Sequence, residues 1–110
     1  MKHYFFLICV LLPSVLPAQP ICIQTRHSDL IFSVGADHRL YQDYFGKEIS
    51  PATIAGLSTG AESYLTGGGR SLFEPALRLV HGDGNPSLEL KVVDHTTLKE
   101  NDDRSTTRIV

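Results

Sequence analysis

The side chains able to do chemistry in this 110-residue chain are few and widely spaced. His27, His38, His81 and His95 fall on expected strand ends and turns, far from one another in sequence. Zinc takes three or four converging ligands, usually with one closely spaced pair, so this spacing defines no metal site. Serine, histidine and aspartate are all present, yet no nucleophile elbow is expected and a stand-alone hydrolase triad is unsupported. Gly67-Gly68-Gly69-Arg70-Ser71 lacks the Gly-Lys-Ser/Thr that opens a helix in a phosphate loop. Asp83-Gly84-Asn85 lacks the spacing of an EF-hand and reads as a turn whose Asp and Asn bond their own backbone. Tyr41, Tyr44, Phe45, Tyr64 and Phe73 have rings that can stack on a sugar. Alternation places Tyr41 and Phe45 on one face and Tyr44 on the other, and one of those faces must fill a core. The residues therefore name no catalytic group, no substrate-binding group, no metal ligand set and no cofactor.

The elements that would position these residues begin after a leader. Lys2 and His3 start it, Tyr4 to Leu12 is an unbroken apolar run, and Pro13, Ser14 and Pro17 break it before Ala18. Residues 1–18 read as a signal peptide, because the apolar run is too short to span a bilayer. Leu16, two places before Ala18, is not the small residue such sites favour, so the exact cut is left open. The expectation is a secreted or periplasmic chain, with no membrane association once the leader is removed. Cleavage takes Cys9 away and leaves Cys22 alone, without an intramolecular disulfide, as a small apolar residue near the mature start. The remaining ~92 residues are marginal for a single hydrophobic core. A net charge of −2 with no clustered basic face gives no footprint for nucleic acid.

Glycine and proline punctuate the mature chain, and β-branched residues fill the stretches between, which favours strands over helices. Ile21 to Arg26 alternates as a first strand. Leu30, Phe32 and Val34 share one face of a second, with Ile31 and Ser33 opposite. Gly35-Ala36-Asp37 is a turn, and Leu40 to Phe45 a third strand stopped by Gly46, so the two form a hairpin. Lys47 to Gly69 reads as a long surface loop with a short strand at Ser63 to Thr66. Ala76 to His81 and Ser87 to Val93 read as a further strand pair, the second the clearest strand in the chain, flanking the polar turn Gly82-Asp83-Gly84-Asn85-Pro86. Thr96 to Arg104 reads as an exposed connection. Thr106 to Val110 begins a β-like run that stops mid-pattern, as if the domain were unfinished at Val110. The expected fold class is all-β, an antiparallel β-sandwich in part, over residues 19–110.

Three blocks in this order carry a resemblance: Leu40-Tyr41-Gln42-Asp43-Tyr44-Phe45-Gly46, then Leu72-Phe73-Glu74-Pro75-Ala76, then Asp83-Gly84-Asn85-Pro86-Ser87-Leu88-Glu89-Leu90. Together they resemble the N-terminal region of glycoside hydrolase family 36, the α-galactosidases, over essentially all of Ile21 to Val110. The leader ending in Ala-Gln is similar to that of exported bacterial members. The resemblance implies an antiparallel β-sandwich domain preceding a (β/α)8 barrel in the parent enzyme. There, two aspartates release terminal α-galactose with retention of configuration. It also implies an α-galactoside as the parent's carbohydrate partner, and is compatible with a homo-oligomer of the parent.

The family's nucleophile sits in a Lys-Trp-Asp motif, and this chain has no tryptophan. Thr66-Gly67-Gly68-Gly69-Arg70-Ser71 is similar to the family's acid/base motif, Ser-Gly-Gly-Gly-Arg-Phe-Asp. Leu72 stands in place of the aspartate and cannot transfer a proton, so the likeness is taken as coincidence. Many members have Asp-Phe/Tyr-Arg where this chain has Leu72-Phe73-Glu74, and the loop from Lys47 to Arg70 lacks the acidic and basic pair directed to the sugar. No substrate-contacting residue is carried over. The segment is expected to be structural, with the alternative that residues 19–110 are a stand-alone secreted carbohydrate-binding β-domain.

Overall fold

The computed structural model describes residues 19–67 and 74–110. The expected leader, 1–18, lies outside them, as do Arg70, Leu72 and Phe73. The described chain is all-β, with antiparallel sheets and one short helix. Strands β1 (Ile21–Gln24), β2 (Ser28–Val34), β3 (Leu40–Lys47) and β4 (Ala61–Glu62) form one sheet in that order. Strands β5 (His95–Lys99) and β6 (Ser105–Ile109) form a separate two-stranded sheet. Helix α1 (Pro51–Ala55) lies between β3 and β4 in sequence.

β2 is one of the two inner strands of the larger sheet, and its alternation has apolar residues on both sides, as a strand covered twice requires. Cys22, Gln24, Asp29 and Ile31 share one face by register, while Ile21, Ile23, Leu30 and Phe32 share the other. The core residues divide between them: Ile31 is 1 % exposed on the first face, and Ile21 (2 %) lies on the second with buried Leu40. Full burial of one such side chain contributes about 1.5–3 kcal/mol.

The β2–β3 ladder carries an irregularity. Ile31 pairs with Tyr44 but Phe32 pairs with Gln42, so Asp43 is an extra residue on β3. Such a bulge shifts the alternation by one position. Tyr41 and Tyr44 therefore share a face with Ile31, and Phe45 lies on the opposite one. The aromatic assignment expected from simple alternation is corrected here: it is Tyr44, not Phe45, that accompanies Tyr41. Asp43 Oδ1 is bonded by the Gly60 amide at 2.8 Å, which brings β4 against β3. A side chain at Gly60 would put its Cβ 1.8 Å from the Gln42 carbonyl oxygen, so that approach requires glycine.

Within the expected loop, Ser50-Pro51 starts a helix. The Ser50 hydroxyl accepts from the Thr53 amide at 3.2 Å, and Pro51 fills a first-turn position where no N–H is needed. Gly56 closes it after five residues. The tail also departs from expectation. His95–Lys99 lies largely in the expected exposed connection, yet it pairs residue for residue with Ser105–Ile109. Thr97 and Thr107 face each other with hydroxyls 3.0 Å apart, a cross-strand pair that suits β-branched residues. Arg26, in the β1–β2 turn, is ion-paired with Asp103 of the β5–β6 loop.

Among the described residues Ala76–His81 and Ser87–Val93, the second by pattern the clearest strand, form no ladder, although the turn between them is made. The short strand expected at Ser63 to Thr66 appears earlier, as Ala61–Glu62, with only an isolated bridge from Thr66 to Leu77. Among the described residues no helix is long and apolar enough to cross a membrane.

Candidate functional site

Ile23 on β1, Leu30 and Phe32 on β2, and Leu40 on β3 project from one face of the larger sheet. Across from them pass residues 90–92 and the end of the chain. The space between is a cavity of about 490 Å³ with an apolar lining. That volume is within the range of small-molecule sites, ~300–1,000 Å³. Its far wall is held by backbone bonds. The Val92 amide donates to the His38 carbonyl at 2.7 Å, and Val93 and Val110 are tied through Val93 N to Val110 O at 2.7 Å.

Charge gathers at one rim. Arg39 Nη1 donates to both oxygens of Glu62, at 3.2 and 3.3 Å. Its guanidinium also lies 3.9 Å from Asp37 and 3.9 Å from Glu89, and Glu89 in turn is 3.7 Å from Lys91. With the Arg39 side chain only 17 % exposed, the Glu62 contact is better shielded than a surface pair. Glu62 is the one carboxylate among the described lining residues, and it is occupied by Arg39. The rest of the lining is mainly apolar, which suits packing by apolar groups.

Asp37 anchors the β2–β3 turn. Its carboxylate accepts from the Tyr41 hydroxyl at 2.8 Å and from the Arg39 amide at 3.1 Å. The Tyr41 bond, and then the backbone N–H of Arg39, hold the Asp37 carboxyl below its ordinary range. The same bond, with Asp37 close by, pushes the Tyr41 phenol up. On the other face, Asp29 is fully buried at 0 % exposure, yet its oxygens are bonded by Gln24 Nε2 at 3.3 Å and the Ile49 amide at 2.9 Å. An acidic side chain in such a position needs those donors. Burial, with Asp29 adding to it, raises the Cys22 thiol above its ordinary range. Cys22 is a free thiol, and the same burial disfavours the thiolate that would make it a nucleophile.

No family model, curated protein or solved structure matches this chain.

The residues weighed in the sequence are not brought together. His27 and His95 are exposed, His38 occupies the β2–β3 turn, and the His81 ring bonds the Ser87 carbonyl at 2.7 Å. Among the described residues no group of three acidic, histidine or cysteine side chains is arranged to hold a metal ion. Asp83 and Asn85 bond the backbone of Asn85 and Ser87, both at 2.9 Å, which makes their segment the self-bonded turn that was expected. Of the aromatics, Tyr64 lines the cavity, whereas Phe45 is 71 % exposed away from it.

Three features were missed in the sequence. Asp29 and the Arg39–Glu62 pair carried no local signal beyond a charged residue inside or beside a strand. The third was legible: Gly56-Leu57-Ser58-Thr59-Gly60 spells Gly-x-Ser-x-Gly. It follows a helix and leads into a strand, the reverse of the strand-to-helix turn that a nucleophile elbow requires, and Ser58 is an exposed linker residue.

Proposed function

We propose that this chain is the opening part of a β-sandwich domain in an exported glycoside hydrolase of the family 36 type, and that it serves as structure rather than as the seat of chemistry. The observation that supports the reading is apolar surface left open beside the larger sheet. Val80, Val93 and Leu98 are 62, 78 and 66 % exposed, and one face of the larger sheet borders an apolar-lined cavity. Apolar surface of this kind marks a place where further protein packs. The ordered blocks quoted for the resemblance support the family, and the pattern of residues 1–18 supports export. The parent would then act on terminal α-galactosides, with its two catalytic aspartates on a separate barrel.

Two measurements test this. Reading the coding sequence beyond the codon for Val110 is expected to give more strands and then a barrel carrying Lys-Trp-Asp; an in-frame stop there refutes the proposal. Calorimetry of residues 19–110 is expected to give a broad transition of low enthalpy. A sharp two-state transition near the about 60 kcal/mol typical of a complete domain of this size would instead favour the self-sufficient carbohydrate-binding domain.

A further inference from the structure

The turn at His81–Asn85 repeats the geometry of the working hairpin turn at Gly35–Arg39. In the first, Gly35 N bonds Arg39 O at 2.9 Å, His38 N bonds Gly35 O at 2.9 Å, and His38 has φ 62°. In the second, His81 N bonds Asn85 O at 2.9 Å, Gly84 N bonds His81 O at 2.8 Å, and Gly84 has φ 83°. The central aspartate of each, Asp37 or Asp83, accepts from the amide two residues on. This is the three-residue hairpin loop, a type I turn followed by a left-handed residue. After the first turn the strands pair onward through Val34–Leu40 and Ser33–Tyr41. The equivalent pairs after the second would be Val80–Pro86 and Leu79–Ser87, and they are not made.

The reason is local. Both backbone groups of Ser87 that the Leu79 pair requires are taken by side chains of the turn itself. The Ser87 amide donates to Asn85 Oδ1 at 2.9 Å, and the Ser87 carbonyl accepts from the His81 ring at 2.7 Å. Side-chain bonds of this kind compete directly with a ladder. Farther along, the segment Leu65–Gly67 lies between the arms. Ala76 N bonds Leu65 O at 2.9 Å and Leu88 N bonds Gly67 O at 3.1 Å. Among the described residues the Thr66 hydroxyl of that intervening segment is buried without a partner.

We propose that residues 76–93 are a two-state β-hairpin, seen here open, which closes by pairing Leu79 with Ser87 and Leu77 with Glu89. Closing releases the His81, Asn85, Leu65 and Gly67 bonds and forms ladder bonds at the Leu79–Ser87 and Leu77–Glu89 pairs, with the Ala76 and Leu88 amides turned outward to water, so backbone bonding gives closing no advantage. Packing does: Val80, Leu88 and Leu90 come onto one face and cover apolar area now open to water. Pro86 is no obstacle, since it falls opposite Val80 at a position whose N–H points away from the partner strand. The inference stands on this turn alone and does not depend on the family proposed above.

The test is the full chain carrying His81→Thr with Asn85→Gly, which frees both groups of Ser87. NMR is expected to show an Hα–Hα contact between Arg78 and Leu88, and exchange of the Leu79 and Ser87 amides slowed by about tenfold or more. Unchanged exchange at both, with Ile31 and Tyr44 still protected in β2–β3, overturns the proposal. Should the variant fail to fold, Arg78→Cys with Leu88→Cys is made in a Cys9→Ser, Cys22→Ser background. Closing brings that pair within disulfide reach, whereas the open form holds Leu65–Gly67 between the arms. Ready air oxidation to an intramolecular disulfide supports the two-state hairpin, and its absence refutes it.

Discussion

Two hairpin turns of the same build meet different fates in this molecule. The arms of the first, β2 and β3, run on as a ladder from Val34–Leu40 to Ser28–Lys47. The arms of the second separate at Ser87. The difference lies in what the arms rest on and in what the turn's side chains do. Behind the first turn stand Ile31, Ile21 and Leu40, buried on two faces, and its Asp37 and Tyr41 bond each other rather than the ladder. The arms of the second have exposed Leu79, Val80 and Val93, and their turn captures the next backbone pair. A good turn therefore nucleates a hairpin only where burial rewards the pairing that follows.

The largest effect should come from removing that reward. Ile31→Ala is expected to lower the protection of the Tyr44 amide by about 3 kcal/mol, roughly a hundredfold in hydrogen exchange. Leu90→Ala, on the unpaired arm, should leave protection there within about 1 kcal/mol, since Leu90 is already 39 % exposed. Equal losses from the two would show that both arms rest on one core. Next in size is Gly60→Ala. Its methyl group collides with the Gln42 carbonyl, and overpacking of that kind costs about 1–3 kcal/mol. Exchange at Ser63, whose amide bonds Leu40 O, should report it. Gly82→Ala, with no atom within 4 Å of its Cβ, should change nothing measurable.

A finer distinction separates the two left-handed positions. His38→Gly should relieve a strained backbone and raise the protection of Gly35 by up to about 1 kcal/mol. Gly84→Ala should weaken the second turn by a similar amount.

The smallest effect is one of pH. The folded-state pKa of Asp37 is depressed, so its contribution is present above the ordinary carboxylate range and is lost as pH falls through the lower folded value. Tyr41 has a raised pKa, and its contribution is full below the ordinary phenol range and lost as pH rises through the higher folded value. Amide exchange at Arg39 should therefore quicken at both extremes. Tyr41→Phe should blunt both changes without touching the second turn.

The hairpin at the heart of the fold was readable because alternation, glycine and a polar turn agreed there from Leu30 to Phe45. The same signs at Ala76–Val93 misled, since periodicity records which residues would share a face and not whether a partner surface exists to receive them. The β5–β6 pair was hidden for the opposite reason. Its threonines read as polar connection, while their β-branching suits them to a strand with little burial. Helix α1 was read as loop because a proline after serine breaks a strand but, at a first turn, begins a helix. Of the cavity, the apolar face made by Leu30, Phe32 and Leu40 could be read from spacing. The Arg39–Glu62 contact joins residues 23 apart and depends on β4 folding back against β3, which no local pattern records.

The extra residue at Asp43 acts as a phase slip. A strand hands its side chains left and right in strict turn, and one insertion would reverse that order downstream unless, as here, a bulge absorbs it. Removing Asp43 would leave Tyr41, Gln42, Tyr44 and Phe45 on the faces they now occupy, in unbroken alternation, and would take from the Gly60 amide the carboxylate that draws β4 in. A change of one residue at this point should consequently leave the pairing on either side intact and be felt where β4 meets β3.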